Sequence, residues 1–205
     1  MALQLLPFPL PGADVRFDPV FLPSSEADTL LRLLTDTAAW EQRHITLFGQ
    51  RHPQPRLTAW YGDPGASYTY SGLRWEPQPW LPALTQLRIR LEEATSARYN
   101  SVLLNLYRDG RDSMGYHADD EPELGPAPTI ASLSLGSTRR FRLRPRPSLE
   151  TPADAAPLGL DLSSGSLLLM RGLTQAHWQH AVPKTTRSVG PRLNLTFRWV
   201  EPHPR

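Results

Sequence analysis

The chain has 205 residues, 40% of them apolar and 20% charged, enough for one substantial core or two small ones. It contains no cysteine, which excludes disulfides, thiolate metal sites and cysteine nucleophiles together, and it has no apolar run of the ~18 residues that a membrane helix needs. The formal net charge of +2 is small, but an isoelectric point near 9.2 leans basic, which permits nucleic-acid contact without requiring it.

In chain order, the N-terminal MALQLLPFPLPGADVRF is apolar but short, broken by prolines and without the basic start of a signal peptide. Residues 1–20 are expected to run extended over the surface of an intracellular protein, cytoplasmic in a bacterium or nuclear in a eukaryote. SSEADTLLRLLTDTAAW predicts a helix: Ser24 or Ser25 can cap it, and Ala27, Leu30, Leu31, Leu34 and Ala38 recur at helical spacing. HITLFGQRHPQPRLTAWYGDPGASYTYSG is rich in turn residues and holds Phe48, Trp60, Tyr61, Tyr68 and Tyr70, which reads as short hairpins carrying exposed aromatics. LPALTQLRIRLEEATSA predicts a second helix, with Pro82 in its first turn and Leu84, Leu87, Leu91 and Ala94 on one face.

Beyond Asn100 the pattern changes to strands and turns. SVLLNLY, TIASLSLG, RRFRLR, SLLLM, HWQHAV and RLNLTFRWV are the candidate strands, and RPRPSLETPADAAPLGLDL reads as a surface loop. Two helices followed by many antiparallel strands predict an α+β domain in which helices support a β-sandwich or jelly roll. In TRRFRLRPR, Arg140, Arg142 and Arg144 share one face, opposite Phe141 and Leu143. That basic face suits phosphate contact, and equally suits a charged edge strand protected from mispairing.

His117 and Asp119, two residues apart, point the same way in an extended segment. An imidazole and a carboxylate are two thirds of a facial iron site. HWQHAV offers His177 and His180 as a third ligand; on a strand they face opposite ways, so spacing admits one and does not choose it. RLNLTFR places Arg192, Asn194, Thr196 and Arg198 on one face and Leu193, Leu195 and Phe197 on the other. In water the polar row would be an ordinary exposed face. Turned inward, Arg192 and Arg198, roughly 20 Å apart along the strand, could bracket a small diacid such as 2-oxoglutarate, since the guanidinium fork matches a carboxylate. Asn105 and Tyr107 share a strand face and could donate to the same ligand. The inward reading accounts for the parity, because the leucines then pack outward against the helices.

Together these residues resemble the AlkB family of iron- and 2-oxoglutarate-dependent dioxygenases, in its AlkB homologue 2 type branch. The likeness covers about residues 40–200, through NLY at Asn105 to Tyr107, HADDE at His117 to Glu121, HWQH ending at His180 and RLNLTFR at Arg192 to Arg198. It implies a double-stranded β-helix, the jelly roll, in a single domain of residues 1–205. Flanking N-terminal helices and a nucleotide-recognition lid at about 40–100 would accompany a catalytic core at 101–200. It implies His117, Asp119 and His180 as iron(II) ligands, which chooses His180 over His177. It implies Asn105, Tyr107, Arg192, Thr196 and Arg198 as the holders of 2-oxoglutarate, Arg192 toward the remote carboxylate and Arg198 toward the metal end.

The resemblance further implies a monomer acting on alkylated DNA, or on RNA. Bases of the 1-methyladenine and 3-methylcytosine type would be dealkylated with O2 and 2-oxoglutarate, giving succinate, CO2 and an aldehyde. Phe48 in TLFGQ resembles a wedge that fills the gap of a flipped base, and Tyr68 and Tyr70 in YTYSG resemble the lid around it. Asp120 could accept from the exocyclic amine. The finger ends in Gln50 rather than a basic residue, and the loop after Arg144 is rich in proline and acid, which departs from the family's pattern of phosphate contacts. Glu121 and Glu123 read as solvated loop charges. The alternatives are the same chemistry on RNA or a protein side chain, and a non-catalytic nucleic-acid-binding module; structural zinc does not suit three ligands with open positions.

Overall fold

The computed structural model describes residues 5–47, 49–70, 73–146 and 155–201. Strands β1 (Leu6–Phe8) and β2 (Asp14–Asp18) precede helix α1 (Ser24–Thr37). Two hairpins, β3 (His44–Leu47) with β4 (Gln50–Pro53) and β6 (Tyr68–Tyr70) with β7 (Leu73–Trp75), flank β5 (Leu57–Gly62). Helix α2 (Pro82–Thr95) follows, then β8 (Ser101–Tyr107), β9 (Met114–His117), β10 (Ile130–Gly136), β11 (Arg139–Pro145), β12 (Leu158–Leu162) and β13 (Leu167–Arg171). The one-turn helix α3 (Thr174–His177) leads into β14 (Trp178–Val182), and β15 (Arg192–Arg198) completes the order.

A seven-stranded antiparallel sheet, β1-β2-β13-β10-β15-β8-β5, lies against a four-stranded one, β12-β11-β14-β9, giving the expected jelly roll. Alternation along each strand sorts side chains between two cores. On the outer face of the large sheet, Leu104, Leu133, Leu193, Leu195 and Phe197 pack against Ala27 and Leu34 of α1 and Leu84, Leu87 and Leu91 of α2. Between the sheets, Val15, Ile130, Leu168 and Met170 meet Phe141, Leu143, Leu162 and Trp178. Each such large side chain contributes about 1.5–3 kcal/mol on burial. Among the described residues no helix is long and apolar enough to cross a membrane.

Four expectations are corrected. Residues 14–18 do not merely run over the surface: β2 pairs with β13, Phe17 opposite Leu168, and so enters the large sheet. The loop expected after Arg144 contains β12, which pairs with β11. Trp60 and Tyr61 are core residues, 4% and 3% exposed, because β5 is hydrogen-bonded to β8 and covered by bridges to Glu41 and Gln78. Neither serine caps α1: the chain enters from Pro23, whose carbonyl accepts from Ala27 N at 2.9 Å, and Ser24 is already helical.

Candidate metal centre

Antiparallel register builds the site from strand parity. Thr58, Asn105, Asn194 and Ser134 stand opposite one another across β5, β8, β15 and β10, forming a continuous polar row. Leu103, Thr196 and Ser132 form the adjacent row. Neighbours in register share a face, so the polar side of RLNLTFR looks into the space between the sheets. Arg198, Thr196, Asn194 and Asn105 line one cavity there together with His117, Asp119 and His180. The solvated-face reading of this strand is thereby excluded.

His117 and His180 are directly paired across β9 and β14, their ring centroids 4.2 Å apart and tilted by 60°. A register shift follows between His180 and Val182. His117 Nε2 lies 3.6 Å from Asp119 Oδ1, and the potential ligand atoms of His117, Asp119 and His180 all fall within 4.8 Å of one another, so the three could hold a metal ion. His117 Nδ1 lies 3.0 Å from the Gly115 carbonyl. A carbonyl only accepts, so the proton belongs on Nδ1 and the Nε2 lone pair faces the cavity.

Two contacts hold Asp119. Its backbone N–H donates to Gln175 Oε1 (3.0 Å), and Arg198 Nη2 donates to its Oδ2 (2.7 Å). Burial alone would raise the Asp119 carboxyl, but Arg198 and the two imidazoles outweigh it and hold it well below the usual carboxylate range. Burial, reinforced by His117, pushes His180 down to about 3, which keeps the imidazole neutral. Phe141 stacks on it at 5.3 Å. An ionised carboxylate beside the neutral His180 imidazole suits the donor set of a divalent iron site.

His177 stands apart. α3 ends at His177, so this residue is not on the strand with His180; its Nδ1 donates to the Gly12 carbonyl at 2.8 Å. Spacing left this choice open because the three-residue offset was taken along a strand, whereas it crosses a helix-to-strand junction.

Arg192 provides a test for an anionic ligand. It is 1% exposed, donates through Nη2 to Ser134 Oγ (2.9 Å), and lies 5.3 Å from the centre of the Tyr107 ring. Its Nε and Nη1 have no hydrogen-bond partner among the described residues. Burial lowers its pKa to about 10, still charged at neutral pH. A buried guanidinium with unpaired N–H groups is costly unless an anion completes it, so the residues present fit a carboxylate ligand. Thr196 Oγ1 donates to Asn194 Oδ1 (3.2 Å), and Asn194 Nδ2 to Ser132 Oγ (2.8 Å).

The substrate-side residues fare unevenly. Phe48 lies outside the described residues, as do the side chains of Tyr68 and Tyr70, whose backbones form β6. The Asp120 carboxylate pairs with Arg146 at 2.6 Å and lines the separate recess near Gly125 rather than the cavity of the histidine cluster. Glu121, read as a solvated charge, lines the cavity instead. Sequence reasoning also missed Arg56, which donates to Asn105 Oδ1 at 2.7 Å, and Trp75, a cavity wall with the Arg43 guanidinium 3.0 Å from its ring centre. A buried arginine or tryptophan in a turn-rich segment carries no periodic signal.

Comparisons with known proteins agree with this geometry. The family described as the 2OG-Fe(II) oxygenase superfamily matches residues 14–198. The alpha-ketoglutarate-dependent dioxygenase alkB homolog 3 of Mus musculus is 49% identical over 191 residues, which span 91% of this chain and 66% of that protein. Its Homo sapiens counterpart is 48% identical with the same coverage. The DNA oxidative demethylase ALKBH2 of Mus musculus is 40% identical over 89% of this chain and 79% of its own length. This chain spans just under two thirds of the alkB homolog 3 proteins, which match at higher identity than the homologue 2 type named from the motifs. The solved structure of OsALKBH1 superposes with a TM-score of 0.64 at 17% identity, covering 90% of this chain and 96% of that one, which supports the fold.

Proposed function

Since the chain belongs to the AlkB family within the 2OG-Fe(II) oxygenase superfamily, we propose that it is a dioxygenase that removes N-alkyl groups from bases of DNA. The observation that carries this is the cluster of His117, Asp119 and His180 with Arg198 on the Asp119 carboxylate, set in a cavity floored by a polar strand face. His117, Asp119 and His180 would hold iron(II). Arg192 would receive the remote carboxylate of 2-oxoglutarate, with Asn105, Tyr107 and Thr196 beside it and Arg198 at the metal end.

With iron(II), 2-oxoglutarate and O2 bound, the family's chemistry places one oxygen atom on the N-alkyl carbon and the other in succinate, with loss of CO2. The hydroxyalkyl base then releases its carbon as an aldehyde and, where alkylation had made it cationic, a proton, leaving the unmodified base. The chain's own groups prepare this. Arg198 keeps Asp119 ionised, the Gly115 carbonyl fixes the His117 tautomer, and Phe141 shields His180 from water. Glu121 presents a carboxylate to the cavity, which favours a base made cationic by alkylation. The target must leave its stack to reach a site this deep, at a cost of a few kcal/mol; Phe48, Tyr68 and Tyr70 are the residues assigned to that step.

The test is succinate release with methylated single strands. Release matched by loss of the methyl group from a 1-methyladenine or 3-methylcytosine oligodeoxynucleotide is expected. Failure with every methylated DNA and RNA strand overturns the proposal, and activity confined to the ribose strand reassigns the substrate to RNA.

A further inference from the structure

The three residues of the metal cluster are not held alike. His117 and His180 lie within strands, and His180 is paired with His117 of β9 on one side and Leu143 of β11 on the other. Asp119 lies past the end of β9 at His117, and among the described residues no strand pairs with it. It is nevertheless only 3% exposed, so its backbone N–H needs a partner within the protein. The side chain of Gln175, 2% exposed and 56 residues further on, accepts that N–H at 3.0 Å. An amide N–H only donates, which assigns the carboxamide oxygen to Asp119 and turns the NH2 the other way. There Nε2 faces Met170 Sδ at 3.6 Å, in the wall of the metal cavity.

Gln175 is itself held from behind. The one-turn helix α3 buries Thr174, Gln175 and His177. Thr174 Oγ1 donates to the Arg171 carbonyl at 2.6 Å and accepts from Asp14 N at 3.2 Å. Arg146 donates its backbone N–H to the His177 carbonyl (2.7 Å) and, through Nη1, donates to the Gln175 carbonyl (3.1 Å) and to Asp120 Oδ2 (2.6 Å). The helix and the segment after β9 are therefore tied twice, by Gln175 inside and by Arg146 nearer the surface. An aspartate side chain has two rotatable bonds. Arg198 fixes Asp119 at Oδ2, and Gln175 fixes the backbone from which those bonds start, leaving Oδ1 3.6 Å from His117 Nε2. With the carboxylate end alone anchored, the Cα can shift and Oδ1 can swing away from the two imidazoles.

We propose that Gln175 is a positioning residue for the metal centre, setting Asp119 Oδ1 against the His117 and His180 nitrogens by holding the Asp119 backbone. This rests on the iron(II) reading above and adds to it a residue that does not line the metal cavity. Anaerobic titration of the full chain with iron(II) at saturating 2-oxoglutarate tests it, followed by visible absorption with no nucleic acid present and set beside the urea midpoint. Gln175→Met keeps the length and loses the acceptor, and is expected to weaken iron(II) binding about 10- to 100-fold. Gln175→Asn keeps the amide but draws it back by one methylene from the Asp119 N–H, and is expected to lose affinity in the same way. Thr174→Val removes hydrogen bonds of the same helix that do not reach Asp119. It is expected to lower the urea midpoint and leave the iron(II) affinity at the parent value. Parent-like affinity in either Gln175 variant overturns the proposal, as does an equal loss in Thr174→Val, which would make the effect one of stability alone. Because no base takes part in the titration, a parent protein that binds iron(II) yet never removes a methyl group would refute the dealkylation reading and leave this one standing.

Discussion

Where β2 and β13 border the interior, Val15, Leu162, Leu168, Met170 and Trp178 fill the space between the sheets with hydrocarbon. Where β8 and β15 border it, the same space holds Asn105, Asn194, Thr196, Arg198 and the cluster of His117, Asp119 and His180. Both regions are built by the same alternation on the same pair of sheets. They differ in what burial achieves: one stabilises the fold, while the other keeps charged and polar groups out of water at a cost that a ligand can offset. The fold tolerates the second region because the first, together with the helix-covered outer face, supplies the apolar burial.

Breaking the polar region at its centre should have the largest effect. His117→Ala, Asp119→Ala and His180→Ala are each expected to abolish succinate release, and with it the visible absorption that appears when iron(II) and 2-oxoglutarate are added anaerobically. Asp119→Ala should also destabilise the fold by ~3–5 kcal/mol, because it breaks the buried ion pair with Arg198. A variant in this set that still turns over would remove that residue from the proposed ligands.

Trp178→Ala attacks the hydrocarbon region. The indole is 1% exposed and its Nε1 donates to the Pro11 carbonyl at 3.0 Å. A loss of ~3–5 kcal/mol is expected from the cavity alone, read as a lower denaturation midpoint. Below the melting range the affinity for 2-oxoglutarate should stay near that of the parent. A large affinity loss without a stability loss would show that the two regions are not separable.

Arg192→Met sharpens the contrast by separating stability from binding. Replacing a buried, incompletely paired cation by a hydrocarbon of similar length is often neutral or stabilising. The melting temperature should therefore hold or rise, while the 2-oxoglutarate requirement should increase about 10- to 100-fold, as expected for the loss of a charge-assisted pair. An unchanged requirement would mean that the orphaned N–H groups of Arg192 do not meet the co-substrate.

How much of this was legible in the sequence follows from the range of the interactions. The parity of RLNLTFR and the His117–Asp119 spacing are local patterns, and both appear in the structure as read. The two helices were also legible, since Leu34, Leu84, Leu87 and Leu91 recur at helical period and are fully buried. β2 was not, because DVRFD looks like any polar connection until β13, some 150 residues on, pairs with it. β12 was hidden by Gly159 and by its proline-rich approach. The inward direction of Glu121 and the outward direction of Asp120 depend on the bend after Asp119, which no pattern of residue types encodes.

The smallest expected effect distinguishes the two histidines that spacing could not. His177 donates to Gly12 and is packed beside the Trp178–Pro11 contact, so it fastens the segment before β2 onto the start of β14. His177→Ala removes one hydrogen bond and leaves the Gly12 carbonyl to find water, a loss of about 1 kcal/mol with a ceiling near 3 if water does not reach it. A modest fall in the urea midpoint is expected, with turnover and the iron-dependent absorption retained. Loss of that absorption in a variant whose midpoint is intact would transfer the third ligand from His180 to His177, and the arrangement of β9 and β14 around the metal would have to be redrawn.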